Sequence, residues 1–256
     1  MLGKILERVA SYQPLYNTRL NIPRASVLVP LLSPQHPLVK TSELSPSTSS
    51  SCPHVLLTVR SSLLNSHAGE VSFPGGKLIL FILLFQTKQF NWILIIYISN
   101  LGKREKDDTN DLEAALRETE EEIGIPRSKL NVYGALDQAI SKNLTLVTPF
   151  VALVHDSFNE FVMNESEVAE IFTVPLDFFL KAEHHSNQDI LWNQVPHRLH
   201  NFTYNKHVIW GLTAAILIQL AKQAFNQSPE FDDTYGVSPS DLAKNFDGQI
   251  RFPQKM

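Results

Sequence analysis

Apolar residues along this chain gather into short runs at strand spacing, three stretches at helical spacing, and one long run that fits neither. Residues 4–10, K-I-L-E-R-V-A, predict a short amphipathic helix leading into a domain. Residues 27–32 predict a strand, and Pro30 within it predicts a sheet edge, because proline has no N–H for a central ladder. Residues 33–53 are rich in Ser, Pro and Thr and read as a flexible surface loop. Residues 55–60, 131–136 and 144–154 predict further strands. Residues 167–174 alternate and stop at Pro175, and 176–181 form a short helical turn. Helical spacing marks residues 109–122 and 208–225, while 226–256 are polar and read as loosely packed. Strands before and after helices predict an α/β fold with a mixed β-sheet between helical layers.

The helix over 109–122 carries the most specific chemistry. Residues 117–125 read R-E-T-E-E-E-I-G-I, and Glu118, Glu121 and Glu122 stand at i, i+3 and i+4, on one helix face. Asn110 suits an N-cap, with Glu113 three residues on, as a capping box has it. Gly124 and Pro126 end the helix. Three carboxylates near a helix C-terminus repel one another and the dipole, so the pattern calls for a hard cation bound by oxygen, Mg²⁺ or Mn²⁺. A solvated charged face is the competing reading of such a run.

R-E-x-x-E-E-x-G, matched at Arg117, Glu118, Glu121, Glu122 and Gly124 with Ile125 behind, resembles the core of the Nudix box of diphosphate hydrolases. Thr119 replaces the usual aliphatic residue, and the upstream glycine and glutamate of that box fall on Lys103 and Thr109. Residues 56–76, L-L-T-V-R-S-S-L-L-N-S-H-A-G-E-V-S-F-P-G-G, resemble an element of the coenzyme A diphosphatase branch of that family. Residues 164–176 and 207–217 are similar to further family elements. The resemblance implies a Nudix fold and hydrolysis of CoA and acyl-CoA to 3′,5′-ADP and (acyl-)phosphopantetheine. It implies metal ligation by Glu118, Glu122 and Glu121, with Arg117 orienting the carboxylates. Gly75 and Gly76 would lie against the substrate, and Arg60 and Arg104 are candidates for its 3′-phosphate. Two alternatives stay open: a hydrolase of ADP-ribose, NADH or dinucleoside polyphosphates, and a non-catalytic relative. His67 and His197 read as structural or exposed, and Phe73, Phe150 and Phe172 as core.

Between the glycine turn and the acidic helix lies L-I-L-F-I-L-L-F-Q-T-K-Q-F-N-W-I-L-I-I-Y-I, residues 78–98. Its length would cross a bilayer, but Lys88 lies at its centre, and a span would part Gly76 from Glu118. A β-hairpin around Q-T-K-Q-F-N fits better. Gly76-Lys77 also recurs as Gly102-Lys103, and removing 78–103 restores family-like spacing, so the segment reads as foreign to the enzyme. The organisation expected is a lead-in over 1–23, a hydrolase domain over 24–225 interrupted at 78–103, and a tail over 226–256.

Composition narrows the partners. A net charge of −4 offers no basic field for nucleic acid. One cysteine, Cys52, excludes an internal disulfide. The branch resembled is often peroxisomal, so a peroxisomal location is expected, although the C-terminal Gln254-Lys255-Met256 keeps the lysine and apolar last residue of such an ending without its serine; a mitochondrial or cytoplasmic location is the alternative.

Overall fold

The structure, a computed structural model, describes residues 1–15, 22–39, 52–64, 67–75, 81–85, 93–97, 110–141, 145–192 and 195–233. In chain order its elements are α1 (Leu2–Ser11), β1 (Arg24–Leu32), β2 (His54–Arg60), β3 (Val71–Ser72), β4 (Phe81–Phe85), β5 (Ile93–Tyr97) and α2 (Asp111–Ile123). These are followed by β6 (Leu130–Ala135), β7 (Ala139–Ile140), β8 (Leu146–Val154), β9 (Val168–Pro175), β10 (His185–Trp192), β11 (Val195–Tyr204), β12 (His207–Trp210) and α3 (Gly211–Phe225).

β1, β2 and β8 are apolar at most positions because both faces of their sheet are covered. Successive side chains point to opposite faces. Val29, Leu31, Val55, Leu57 and Val151 join α1 and α3 in one core. Leu28, Leu32, Leu56, Ala152 and Val154 join α2 in the other. The sheet runs β3-β2-β1-β8-β6, with β7 added on β8 and β9 on β2. β1 and β8 are parallel and the remaining pairs antiparallel, so the mixed sheet between helices is the architecture the residue pattern predicts. Among the described residues no helix is long and apolar enough to cross a membrane.

Four local expectations change. β1 is central, not an edge. Leu28 turns its N–H away from β8 to the carbonyl of Pro74, and Pro30, two residues on, has the same orientation. Its missing donor therefore costs the β1–β8 ladder nothing, and the β1–β2 ladder begins only at Leu31. Residues 33–39 and 52 are not a surface loop: Ser33, His36 and Cys52 are buried, and the Ser33 hydroxyl donates to Asp156 at 2.6 Å. Burial pushes the Cys52 thiol up to about 12, leaving it unreactive. Residues 207–210 form β12 against β11 and not the start of a helix, which begins at Gly211. The described start of the tail is anchored: Phe231 stacks on His185 at 3.7 Å, Asp232 pairs with Arg198, and the Glu230 N–H donates to Leu180. Residues 234–256 lie outside the described residues. The sequence reading also missed β10 and β11, which with β12 form a separate three-stranded sheet.

The helix expected over residues 4–10 is α1. It buries Ile5, Leu6 and Val9 in the first core, and Arg8 donates to the Ala224 carbonyl at the end of α3 at 2.8 Å. Among the described residues β4 and β5 pair with each other alone, antiparallel, Phe81 opposite Tyr97 and Phe85 opposite Ile93; the Q-T-K-Q-F-N connection of the hairpin reading lies outside the described residues.

His54, at the head of β2, is 4% exposed and its Nδ1 has no hydrogen-bond partner. Burial lowers its pKa to about 4. The unfolded chain takes up that proton near pH 6.5, so stability is intact above 6.5 and declines as the pH falls toward 4. By pH 4.5 the cost is about 2–3 kcal/mol. Denaturant unfolding at pH 7 and 4.5 checks this: His54→Leu should lose less stability between the two than the parent, and an equal loss would refute the assignment.

Candidate active site

α2 is held in place by its ends. The Asn110 side chain accepts from the Glu113 N–H at 3.1 Å, and the Glu113 carboxylate pairs with Arg127. Gly124 takes the left-handed conformation that closes the helix, its N–H donating to the Glu120 carbonyl. The buried face carries Ala115, Thr119 and Ile123 into the second core and, at its margin, Glu118 and Glu122. Thr119 fits where an aliphatic residue is usual because its hydroxyl donates back to the Ala115 carbonyl at 2.7 Å.

Glu118 and Glu122 are 6% and 5% exposed, and the third carboxylate that meets them is Glu167, not Glu121. One carboxylate oxygen from each of the three lies within 4.8 Å of the others. Glu121 is 53% exposed and accepts from Arg117 Nη1 at 2.8 Å. The same guanidinium donates through Nη2 to Glu118 Oε1 at 2.9 Å, so Arg117 bridges the exposed and the buried carboxylate.

Glu167 is set by two attachments. Asn164 N–H donates to the Glu122 carbonyl at 2.9 Å, and Glu167 N–H to the Asn164 carbonyl at 2.9 Å, which ties its turn to the end of α2. Ser61 N–H donates to the Glu167 carbonyl at 2.8 Å, which ties it to the end of β2. The antiparallel pairing of β2 with β9 makes this juxtaposition. The clue in the sequence is N-E-S-E immediately before a strand, a run of acids that solvent exposure alone explains equally well.

The bend at Pro74-Gly75 closes the site from another side. Pro74 accepts from Leu28 N–H at 2.9 Å, and Gly75 N–H donates to Glu122 Oε2 at 3.3 Å. Gly75 has φ +155°, and a Cβ there would lie 2.6 Å from Val27 Cα and 2.8 Å from the Ser26 carbonyl oxygen. Only glycine allows that approach to β1.

Burial is the largest cause of a Glu122 pKa pushed up to about 8, reinforced by the charges of Glu118 and Glu167 and opposed by Arg60 and the Gly75 N–H. Burial likewise raises Glu118, against the pull of Arg117. Arg60 lies opposite Val168 in the β2–β9 register, one residue from Glu167, and its buried Nε has no hydrogen-bond partner. Three clustered carboxylates, two of them buried, are unfavourable until a cation offsets them, and an all-oxygen set of this kind fits a divalent metal. Gly76 and Arg104 lie outside the described residues. His67 pairs with Glu70 at 2.7 Å, and Phe172 stacks on His207 at 4.0 Å.

Known proteins bear on this geometry. No family model matches the chain. It is 37% identical over 171 residues to the uncharacterized Nudix hydrolase NudL of Photorhabdus laumondii, covering 67% of this chain and 77% of the relative. It is 36% identical over 183 residues to Nudix hydrolase 15, mitochondrial, and 35% over 183 residues to Nudix hydrolase 22, chloroplastic, both of Arabidopsis thaliana. Each plant match takes in 69% of this chain, which spans only about half the plant proteins' length, 55% and 52%. By these relatives the chain belongs to the Nudix hydrolase family.

Solved structures are more distant. A MutT/nudix family protein from Enterococcus faecalis is 13% identical with a TM-score of 0.41, covering 88% of this chain and 68% of its own. A C. elegans Ap4A hydrolase binary complex is 15% identical with a TM-score of 0.37, covering 60% and 81%. Likenesses at this level add nothing to the assignment.

Proposed function

We propose that this chain is a Mg²⁺- or Mn²⁺-dependent diphosphatase that hydrolyses coenzyme A and acyl-CoA to 3′,5′-ADP and (acyl-)4′-phosphopantetheine. The observation that carries the reading is the bond from Gly75 N–H to Glu122. It joins the glycine bend of the branch-like element, residues 56–76, to the acidic helix in a single site.

In this reading Glu118, Glu122 and Glu167 hold the ion, with Glu167 in the place expected of Glu121. The bound ion supplies charge neutralisation at the phosphoryl oxygens and a lowered pKa for water. Arg117 fixes the rotamer of Glu118, and Gly75 N–H fixes that of Glu122. Arg60 places its positive charge at the cluster's edge, where it acts on Glu122, and in this reading its guanidinium would bind a substrate phosphate. Burial of Glu118 and Glu122 keeps bulk water from competing for the ligands.

A substrate panel tests the reading: CoA, an acyl-CoA, ADP-ribose, NADH and a dinucleoside polyphosphate, each with Mg²⁺ or Mn²⁺. The expected result is 3′,5′-ADP release with the highest kcat/KM for CoA or its thioester. A higher value for another substrate rejects the CoA assignment, and no turnover of any rejects the diphosphatase. The peroxisomal expectation finds no support among the relatives, two of which carry mitochondrial and chloroplastic names. Imaging of the tagged protein tests it against a mitochondrial or cytoplasmic location.

A further inference from the structure

We infer that the metal-binding fold is built from residues 1–77 and from 104 onward, and that residues 78–103 are an insertion it does not use. Two features of the structure point this way. First, β4 and β5 form a two-stranded sheet of their own, and neither the seven-stranded nor the three-stranded sheet takes a strand from them. Their sequences read F-I-L-L-F and I-L-I-I-Y, and the five pairs of this ladder, from Phe81 with Tyr97 to Phe85 with Ile93, join them to each other. Among the described residues no third strand pairs with either of them.

Second, both ends that the segment connects are fixed without it. The bend at 74–75 is held by Leu28 and Glu122, and α2 by its own Asn110 cap and its burial on the sheet. Without 78–103, Gly76, Lys77 and residues 104–109 remain to join Gly75 to Asn110. Extended, those eight residues reach about 30 Å. Gly75 is bonded to Glu122, and the helix from Asn110 to Glu122 is about 18 Å long, so the shortened link spans the gap with slack. The doublet Gly76-Lys77, repeated as Gly102-Lys103, marks the two margins.

The test compares the full chain with a variant lacking 78–103, each with and without Glu122→Gln. Far-UV circular dichroism, thermal unfolding in EDTA and Mn²⁺ binding by electron paramagnetic resonance are read. The shortened chain should be folded and soluble, with a Tm equal to or above that of the full chain, because a shorter loop costs less to close. It should bind Mn²⁺ undiminished and lose about tenfold or more in affinity on Glu122→Gln. A shortened chain that is unfolded, melts lower, or no longer binds Mn²⁺ overturns the inference. One that folds and binds Mn²⁺ but hydrolyses no diphosphate sinks the proposed function and leaves this inference standing.

Discussion

Glu122→Gln should lower turnover about a thousandfold while leaving the fold intact. The side chain keeps its shape and its acceptor for Gly75 N–H at 3.3 Å, so the bend stays in place. It loses the negative charge at the most buried corner of the cluster, which the ion needs as a ligand. Stability moves the other way. Glu118 and Glu167 both act against ionisation of Glu122, so removing one of three carboxylates relieves repulsion in the metal-free protein. The expected pattern is a Tm in EDTA at or above that of the parent, with kcat/KM and Mn²⁺ affinity both lost. Glu121→Gln is the contrast: it removes an exposed partner of Arg117 and should change turnover less than about fivefold. Unchanged turnover in Glu122→Gln, or equal losses at both positions, would reject the ligand set.

Gly75→Ala is the second large effect, and it acts through backbone. The added methyl meets Val27 Cα at 2.6 Å and the Ser26 carbonyl at 2.8 Å. Both belong to β1, the central strand, which is clamped by eight residue pairs to β8 and cannot withdraw. The positive φ adds strain that an L-residue seldom accepts. We expect a loss of about 3 kcal/mol or more in stability. Hydrolysis should fall further than stability explains, because the only relief is to lift the bend off Glu122. Gly69→Ala is the control: its φ is +74°, but nothing lies within 4 Å of the new methyl, so the cost should be about 1–2 kcal/mol with activity retained. Thermal unfolding beside kcat/KM separates the two, and a fully active, stable Gly75→Ala enzyme would show that the bend need not touch the acidic helix.

What the residue order revealed followed how local the causes were. α2 was readable to within two residues because its cap, its closing glycine and Pro126 all act inside the helix. Which glutamates turn inward was not readable from spacing. At 100° per residue Glu121 falls on the far side of Glu118 from Ala115 and Thr119, and the tertiary position of that apolar stripe decides the matter. Glu167 could not be found locally, since the pairing of β2 with β9 brings it to α2. Pro30 misled because a missing N–H disrupts a sheet only where it points toward a paired neighbour, and here it points to a stretch where β2 has not yet begun to pair, so a central strand tolerates it. β10 and β11 carry too many polar positions to declare themselves.

The parallel seam between β1 and β8 has a consequence for synthesis. Arg24 pairs with Leu146 and Leu31 with Leu153, so the middle of the sheet cannot zip until the polypeptide has left the ribosome past residue 154. Until then β1 waits without its main partner while the apolar stretch at 81–97 emerges beside it. Late closure of long-range strand pairs slows folding and prolongs exposure of sticky surface. Nascent chains of this protein should therefore engage chaperones from early in translation until the second half of the sheet arrives.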